Sequence, residues 1–216
     1  MTSFDVLRAL RKILKEKKMG HTGTLDPMAE GVLLVCVGKA TKYVDALMAK
    51  EKIYQAELTL GIETDTEDST GKILSEEEVS ITREDIERIL PRFLGKQEQI
   101  PPMYSAKKLE GKKLYELARE GKTVERKPSR IEIFSLEILS YDCPRLRFRI
   151  HCSKGTYIRT LCKDIGEALG TKACMSALLR EEVGEFQFKE SKTLSEIEKD
   201  MKKGDLSSFL KPALYS

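Results

Sequence analysis

The sharpest chemical signal in the chain is the run Gly20-His21-Thr22-Gly23-Thr24-Leu25-Asp26-Pro27. Proline drives the residue before it into extended geometry and glycine permits positive φ, so this composition constrains a backbone tightly. A loop of this kind can hold the Asp26 carboxylate in one pose. An exposed Asp is already ionised at neutral pH, so its chemistry depends on position rather than on activation. The same residues also suit an Asx-type turn in which Asp26 only accepts bonds from nearby amides, and the loop alone leaves both readings open.

Other chemistries find less support. Gly38-Lys39 is followed by Ala40 and lacks the upstream glycine of a phosphate loop, and the chain contains no G-x-G-x-x-G. The acidic run from Thr64 to Gly71 lacks the ligand order of a calcium loop and reads as a solvated turn. His21 and His151 lie far apart in sequence, and neither has partners at metal-ligand spacing. Cys36, Cys143, Cys152, Cys162 and Cys174 are odd in number, scattered and without a C-x-x-C pair, which points to reduced, packed thiols rather than disulfides or zinc. No cofactor or metal is expected.

The chain has 216 residues, 40% of them hydrophobic and 34% charged, the balance of a folded protein with a core. Val32 to Val37 is the longest apolar run, far short of a membrane span, and the first residues do not form a secretory signal, so a cytoplasmic protein without membrane contact is expected. The net charge of +3 hides an asymmetry: residues 61–100 carry 11 acidic and 5 basic side chains, and residues 101–160 carry 14 basic and 7 acidic. The basic stretch, densest from Lys107, Lys108, Lys112 and Lys113 to Arg130, suits either a phosphate backbone or a solvated face.

The elements that must position the loop follow from periodicity and caps. Thr2 or Ser3 can cap a helix with apolar Val6, Leu7, Leu10, Ile13 and Leu14, which Gly20 would end. After the 20–31 loop come a strand over 32–37, a short helix over 43–48 and an alternating strand over 53–60. Thr82 and Asp85 make a capping box for a helix that Pro91 ends. Pro101-Pro102 opens a loop, 113–120 is a short helix, and 131–139 and 146–152 are strands, the second with Arg147, Arg149 and His151 on one face. A helix over 157–169, a strand or turn over 173–183 and a polar helix over 195–203 complete an α+β domain with a mixed, mainly antiparallel central sheet flanked by helices.

The ordered motifs make the chain recognisable. Gly20-His21-Thr22-Gly23-Thr24-Leu25-Asp26-Pro27-x-Ala29-x-Gly31 closely resembles the catalytic motif of the bacterial tRNA pseudouridine-55 synthase family. Gly38-Lys39-Ala40-Thr41-Lys42, Lys52-x-Tyr54, Leu60-Gly61-x-x-Thr64-Asp65-Thr66, Pro101-Pro102-x-Tyr104-Ser105-Ala106-Lys107-Lys108 and Cys152-Ser153-Lys154-Gly155-Thr156-Tyr157-Ile158-Arg159-Thr160-Leu161 resemble further blocks of that family, in its order. The resemblance implies the pseudouridine synthase fold and an isomerase that converts the uridine at position 55, in the T-loop of tRNA, to pseudouridine. It implies Asp26 as nucleophile, paired with Arg159, whose planar guanidinium can grip a carboxylate bidentately. It also implies Tyr54 as the stacking partner of the base, and His21, Tyr157 and Leu178 as the remaining uridine contacts. The implied partner is the T-stem-loop of tRNA, with no obligatory protein partner.

The chain departs from the family pattern at each end. It opens at Met1-Thr2-Ser3 without the family's earlier Lys-Pro-x-Gly strand, whose loss would expose a sheet edge, and stops at Lys211-Pro212-Ala213-Leu214-Tyr215-Ser216 without the small RNA-binding domain that many members carry. Residues 1–190 therefore read as the catalytic domain and 191–216 as a helical extension. Two alternatives accompany this reading: a catalytically weakened RNA-binding or tRNA-folding module, and a subunit of a guide-RNA-dependent pseudouridine synthase.

Overall fold

The computed structural model describes residues 1–109 and 111–212, with Lys108 described through its backbone alone. Residues 213–216, the end of the predicted extension, lie outside the described residues. In chain order the first elements are α1 (Ser3–Leu14), β1 (Met19–His21), β2 (Glu30–Gly31), β3 (Val35–Val37), α2 (Val44–Met48), β4 (Lys52–Leu60), β5 (Ile62–Thr64), β6 (Ile73–Glu76), α3 (Arg83–Ile89) and β7 (Gly95–Gln99). There follow β8 (Lys108–Leu109), β9 (Lys112–Lys113), α4 (Leu114–Arg119), β10 (Ser129–Asp142), β11 (Arg145–Cys152), α5 (Ile158–Ala168), β12 (Ala173–Val183), β13 (Phe186–Gln187) and α6 (Leu194–Lys203). This is the expected α+β architecture. Among the described residues no helix is long and apolar enough to cross a membrane.

Contacts divide the chain into two units, Met1–Ile53 with Leu179–Ser216, and Tyr54–Leu178, so that the division falls within β4 and within β12. In the first unit, α1 starts at a capping box formed by Thr2 and Asp5 and buries Leu7 and Leu10 with Met19. Leu194 and Ile197 of α6 pack on the same cluster. β1 pairs antiparallel with β3, and the end of β12 pairs in parallel with β2 and antiparallel with β13.

In the second unit the strand order is β12-β4-β11-β10-β7, with antiparallel β10–β11 and β10–β7 pairs. β11 buries Leu146, Phe148, Ile150 and Cys152 on alternate positions, and Arg145, Arg147, Arg149 and His151 take the other face, as the alternation predicts. The Thr82–Asp85 capping box is present at the start of α3, and Pro91 lies in the 3₁₀ turn that follows it.

Two boundaries differ from the expectation. α1 stops at Leu14, not near Gly20, and Lys15 caps it with φ of 53°. Lys15, Glu16, Lys17 and Lys18 offer no apolar side chain to continue the buried stripe, and Gly20 is claimed instead by pairing with Cys36. The strand expected over 32–37 is confined to Val35–Val37. At Gly31 the backbone turns with φ of 107°, and Val32 N–H donates to the Arg180 carbonyl at 2.9 Å instead of joining β3.

Candidate active site

Asp26 and His21 belong to the first unit; Tyr54, Tyr157, Arg159 and Leu178 belong to the second. The Asp26 loop is fastened at several backbone points. Thr22 N–H donates to the Leu34 carbonyl at 3.1 Å, and Ala29 N–H donates to the Asp26 carbonyl at 2.9 Å, closing a turn with Pro27 at its second position, where the fixed φ of proline is favoured. Leu25 N–H donates to Ser3 Oγ at 2.9 Å, which ties the loop to the start of α1. These bonds engage main chain, and the Asp26 side chain stays half-buried.

The residue that completes this frame is Arg180, which sequence reasoning missed. Its side chain is buried; Nε donates to the Val32 carbonyl at 2.7 Å and Nη2 to the Gly23 carbonyl at 3.2 Å. A Cβ at Gly31 would collide with the Arg180 carbonyl, so the close approach and the positive φ there both require glycine. Burial, and then the nearby Arg180 charge, lower the His21 pKa, so the imidazole is neutral at pH 7. Its Nδ1 accepts from Gly23 N–H at 3.4 Å. No local pattern around Arg180 signals this role, because its partners lie about 150 residues away in the chain.

In the second unit, Arg159 stands in the first turn of α5 and is 5% exposed. Its Nη1 donates to the Thr66 carbonyl at 3.0 Å and its Nη2 to the Tyr104 carbonyl at 2.8 Å. Nη1 also lies 3.7 Å from Oδ2 of Asp68, with both side chains 6% exposed. The expectation of a solvated turn over 64–71 is therefore corrected: Thr64 and Asp68 are buried. Asp68 Oδ1 accepts from Thr66 Oγ1 (2.9 Å), Thr70 N–H (3.0 Å) and Thr70 Oγ1 (2.5 Å). A carboxylate with that many donors and a guanidinium beside it is tolerable in the interior. The spacing Thr66-x-Asp68-x-Thr70 was the available signal for it.

Tyr157 precedes α5, and its peptide is gripped by the buried Gln99: Tyr157 N–H donates to Oε1 at 2.8 Å, and Nε2 donates to the Tyr157 carbonyl at 3.0 Å. Gln99 was not anticipated. Tyr54 and Leu178 are buried, at 9% and 8% exposure. Lys52, two residues before Tyr54, is buried too, and its ammonium donates to the Met48 and Lys50 carbonyls, capping the end of α2.

The basic stretch is partly engaged within the protein. Lys107 Nζ donates to Ser129 Oγ at 2.7 Å and Arg126 Nη1 to the Pro101 carbonyl at 3.1 Å. Lys113 and Arg119 instead flank the Tyr115 ring at 5.3 and 5.4 Å from its centroid, an aromatic platform with two cations. Among the described residues no group of three or more His, Cys, Asp or Glu could hold a metal ion.

Residues 11–158 match the model of the TruB family pseudouridylate synthase N-terminal domain, and residues 159–215 match that of the tRNA pseudouridylate synthase B C-terminal domain. A tRNA pseudouridine synthase B of Clostridium acetobutylicum is 53% identical over 186 residues, 86% of this chain and 64% of the relative. A protein of the same name from Clostridium tetani is 48% identical over 214 residues, 99% of this chain and 73% of the relative. The chain thus spans about two thirds of the length of the curated relatives it matches. Among solved structures, a Cbf5-Nop10-Gar1 complex is similar with a TM-score of 0.75 and 29% identity, over 97% of this chain and 55% of the matched one. An H/ACA RNP bound to a substrate RNA containing 2'-deoxyuridine is similar with a TM-score of 0.72 and 27% identity, over 97% and 54%. With one family model covering more than half of its residues and relatives of about 50% identity along most of its length, the chain belongs to the TruB family of pseudouridylate synthases.

Proposed function

We propose that this protein is a stand-alone tRNA pseudouridine synthase, an isomerase acting on the uridine at position 55 in the T-loop. The observation that carries this reading is the half-buried Asp26 carboxylate on a loop fixed through its main chain, in a chain about half identical to proteins named tRNA pseudouridine synthase B. The reaction breaks the bond between the ribose C1′ and N1 of uracil, turns the base and joins C1′ to C5. The C5 hydrogen leaves as a proton and N1 gains one. No electrons leave the substrate, so the isomerisation requires no redox partner.

Asp26 serves as the nucleophile, and position is its main requirement. Arg159 is the cation assigned to it, keeping a carboxylate ionised and oriented. Tyr54 stacks on the uracil, and His21, Tyr157 and Leu178 line the uridine. With Nδ1 accepting from Gly23 N–H, a neutral His21 carries its proton on Nε2 and can donate it to a carbonyl of the base. Shielding from water matters because hydrolysis would release the base. The target must leave its stack, at a cost of a few kcal/mol that backbone contacts offset. Residues 107–130 supply such contacts, with the Tyr115 platform as their centre. Residues 1–190 form the catalytic domain in this reading, with 191–216 as an extension.

The guide-RNA-dependent alternative is less well supported, since the complexes named Cbf5 or H/ACA are 26–29% identical whereas the relatives named tRNA pseudouridine synthase B reach 53%. Release of tritium from a tRNA transcript carrying C5-tritiated uridine, with mapping of the modified position, tests the proposal. Release at position 55 without any partner protein or guide RNA is expected. Retained tRNA binding without release would instead favour a binding or folding module.

A further inference from the structure

Helix α1 presents two faces of opposite character. Leu7 and Leu10 are buried with Met19, and the partly buried Val6 and Leu14 pack on them, so the folding requirement of the helix is met on that side. On the other side Phe4, Arg8, Arg11 and Lys15 follow one another at i, i+4, i+7 and i+11, with Lys12 beside them, a single stripe at helical spacing. Phe4 is 54% exposed, and the guanidinium carbons of Arg8 and Arg11 lie 5.4 and 5.7 Å from its ring centroid. Arg8, Lys12 and Lys15 are exposed, whereas Arg11 is half-buried and its Nε is a buried atom without a hydrogen-bond partner. Asp5 is the only acid within the helix, and it is engaged by the Thr2 cap and by Arg8 at 3.1 Å.

The stripe begins at the loop that carries Asp26, because Ser3, the residue before Phe4, accepts the hydrogen bond from Leu25 N–H. From Phe4 to Lys15 the helix rises about 16 Å, enough to follow several successive phosphates of a strand. An exposed ring with guanidinium planes beside it suits an unpaired base, and a line of cations without free acids suits a polyanion. Lys12 and Lys15 also edge an open groove of about 640 Å³ between α1 and α6, across which Lys202 is paired with Glu198 at 3.1 Å. We propose that this face of α1 is a second RNA-contact surface, which seats the strand flanking the uridine that reaches Asp26. The proposal rests on the reading of the protein as a tRNA-modifying enzyme, and it adds to the contacts assigned to residues 107–130.

Direct binding separates the two. Affinity of the 216-residue chain for a labelled T-arm stem-loop RNA is measured by anisotropy across a series of salt concentrations, beside the tritium-release assay. The variant Arg8→Gln/Lys12→Gln/Lys15→Asn alters three exposed side chains, and Asn tolerates the left-handed conformation of Lys15. It is expected to weaken binding at least tenfold, to make the log–log salt slope shallower by about 2, and to raise KM with kcat unchanged. Phe4→Ala is expected to weaken binding of the stem-loop about fivefold or more and binding of a blunt duplex hardly at all. Wild-type affinity and salt slope in both variants would overturn the proposal, as would an effect confined to retention on anionic lipid vesicles. A wild-type chain that binds the RNA through this face yet releases no tritium would refute the enzymatic reading and leave the surface standing.

Discussion

Asp26 and Asp68 sit in similar sequence, each within a few residues of threonines and glycine, and the fold treats them in opposite ways. The Asp68 side chain is 6% exposed, with one oxygen accepting three bonds and the other 3.7 Å from the Arg159 guanidinium. The loop around Asp26 is held through main-chain groups, by Ser3, Leu34 and Arg180, and its side chain remains half-buried. A carboxylate saturated with donors in the interior is a structural anchor, since its lone pairs are committed. The Asp26 carboxylate is half-buried on a loop fixed through its backbone, and in the proposed function it is the reagent. In that reading the same residue type serves as anchor where the fold buries its side chain and as reagent where the fold leaves it half-buried.

Substitutions can break that contrast. Asp26→Asn is expected to lower tritium release by at least about 10⁴-fold, or ~5.5 kcal/mol in the barrier, with tRNA affinity and melting temperature close to wild type. Multiple turnovers by this variant would sink the mechanism. Asp68→Ala should act on the fold instead, costing about 3–5 kcal/mol in urea unfolding because it removes the carboxylate beside the buried guanidinium and the shared acceptor of three donors. Equal stability losses for both variants would erase the distinction between anchor and reagent. Arg159→Lys keeps the charge but loses the forked geometry that reaches the Thr66 and Tyr104 carbonyls together. About a hundredfold loss in kcat with tRNA affinity little changed is expected, and a loss confined to affinity would reassign the residue to RNA binding.

The smallest effect concerns Asp164, on the same helix as Arg159. Burial first, and then Glu167, raise its carboxyl from 3.8 to about 6, against the opposing charge of Lys163. Between pH about 4 and 6 the folded chain therefore holds more of this proton than the unfolded chain, and stability from this group falls as pH rises through that window. Asp164→Asn should stabilise the protein by ~1 kcal/mol at pH 7, after allowance for its partial exposure, and by nothing at pH 4. Thermal melts at both pH values check this, and a gain at pH 4 alone would contradict it.

Much of the fold was legible because it rests on short-range rules. Thr2 and Thr82 announce their helices through capping boxes with Asp5 and Asp85, and the alternation of Leu146, Phe148, Ile150 and Cys152 marks the buried face of a strand. The end of α1 does not follow the glycine: the apolar positions stop after Leu14, which ends the buried stripe well before Gly20. Of the candidate residues, the sequence singled out Asp26 by its loop and Arg159, Tyr54, Tyr157, His21 and Leu178 by motif. It did not single out Asp68, Gln99 or Arg180.

The amino-acid sequence by itself determined the loop that carries the carboxylate, the family and the order of the elements, because caps, periodicity and glycine placement act within a few residues. Only the tertiary structure decided which charged groups are interior and what they hold. Arg180 meets Gly23 and Val32 across about 150 residues of chain, and Arg159 meets Thr66 across 93. The burial of a charge is set by the strands and helices folded around it, and no pattern local to that charge encodes it.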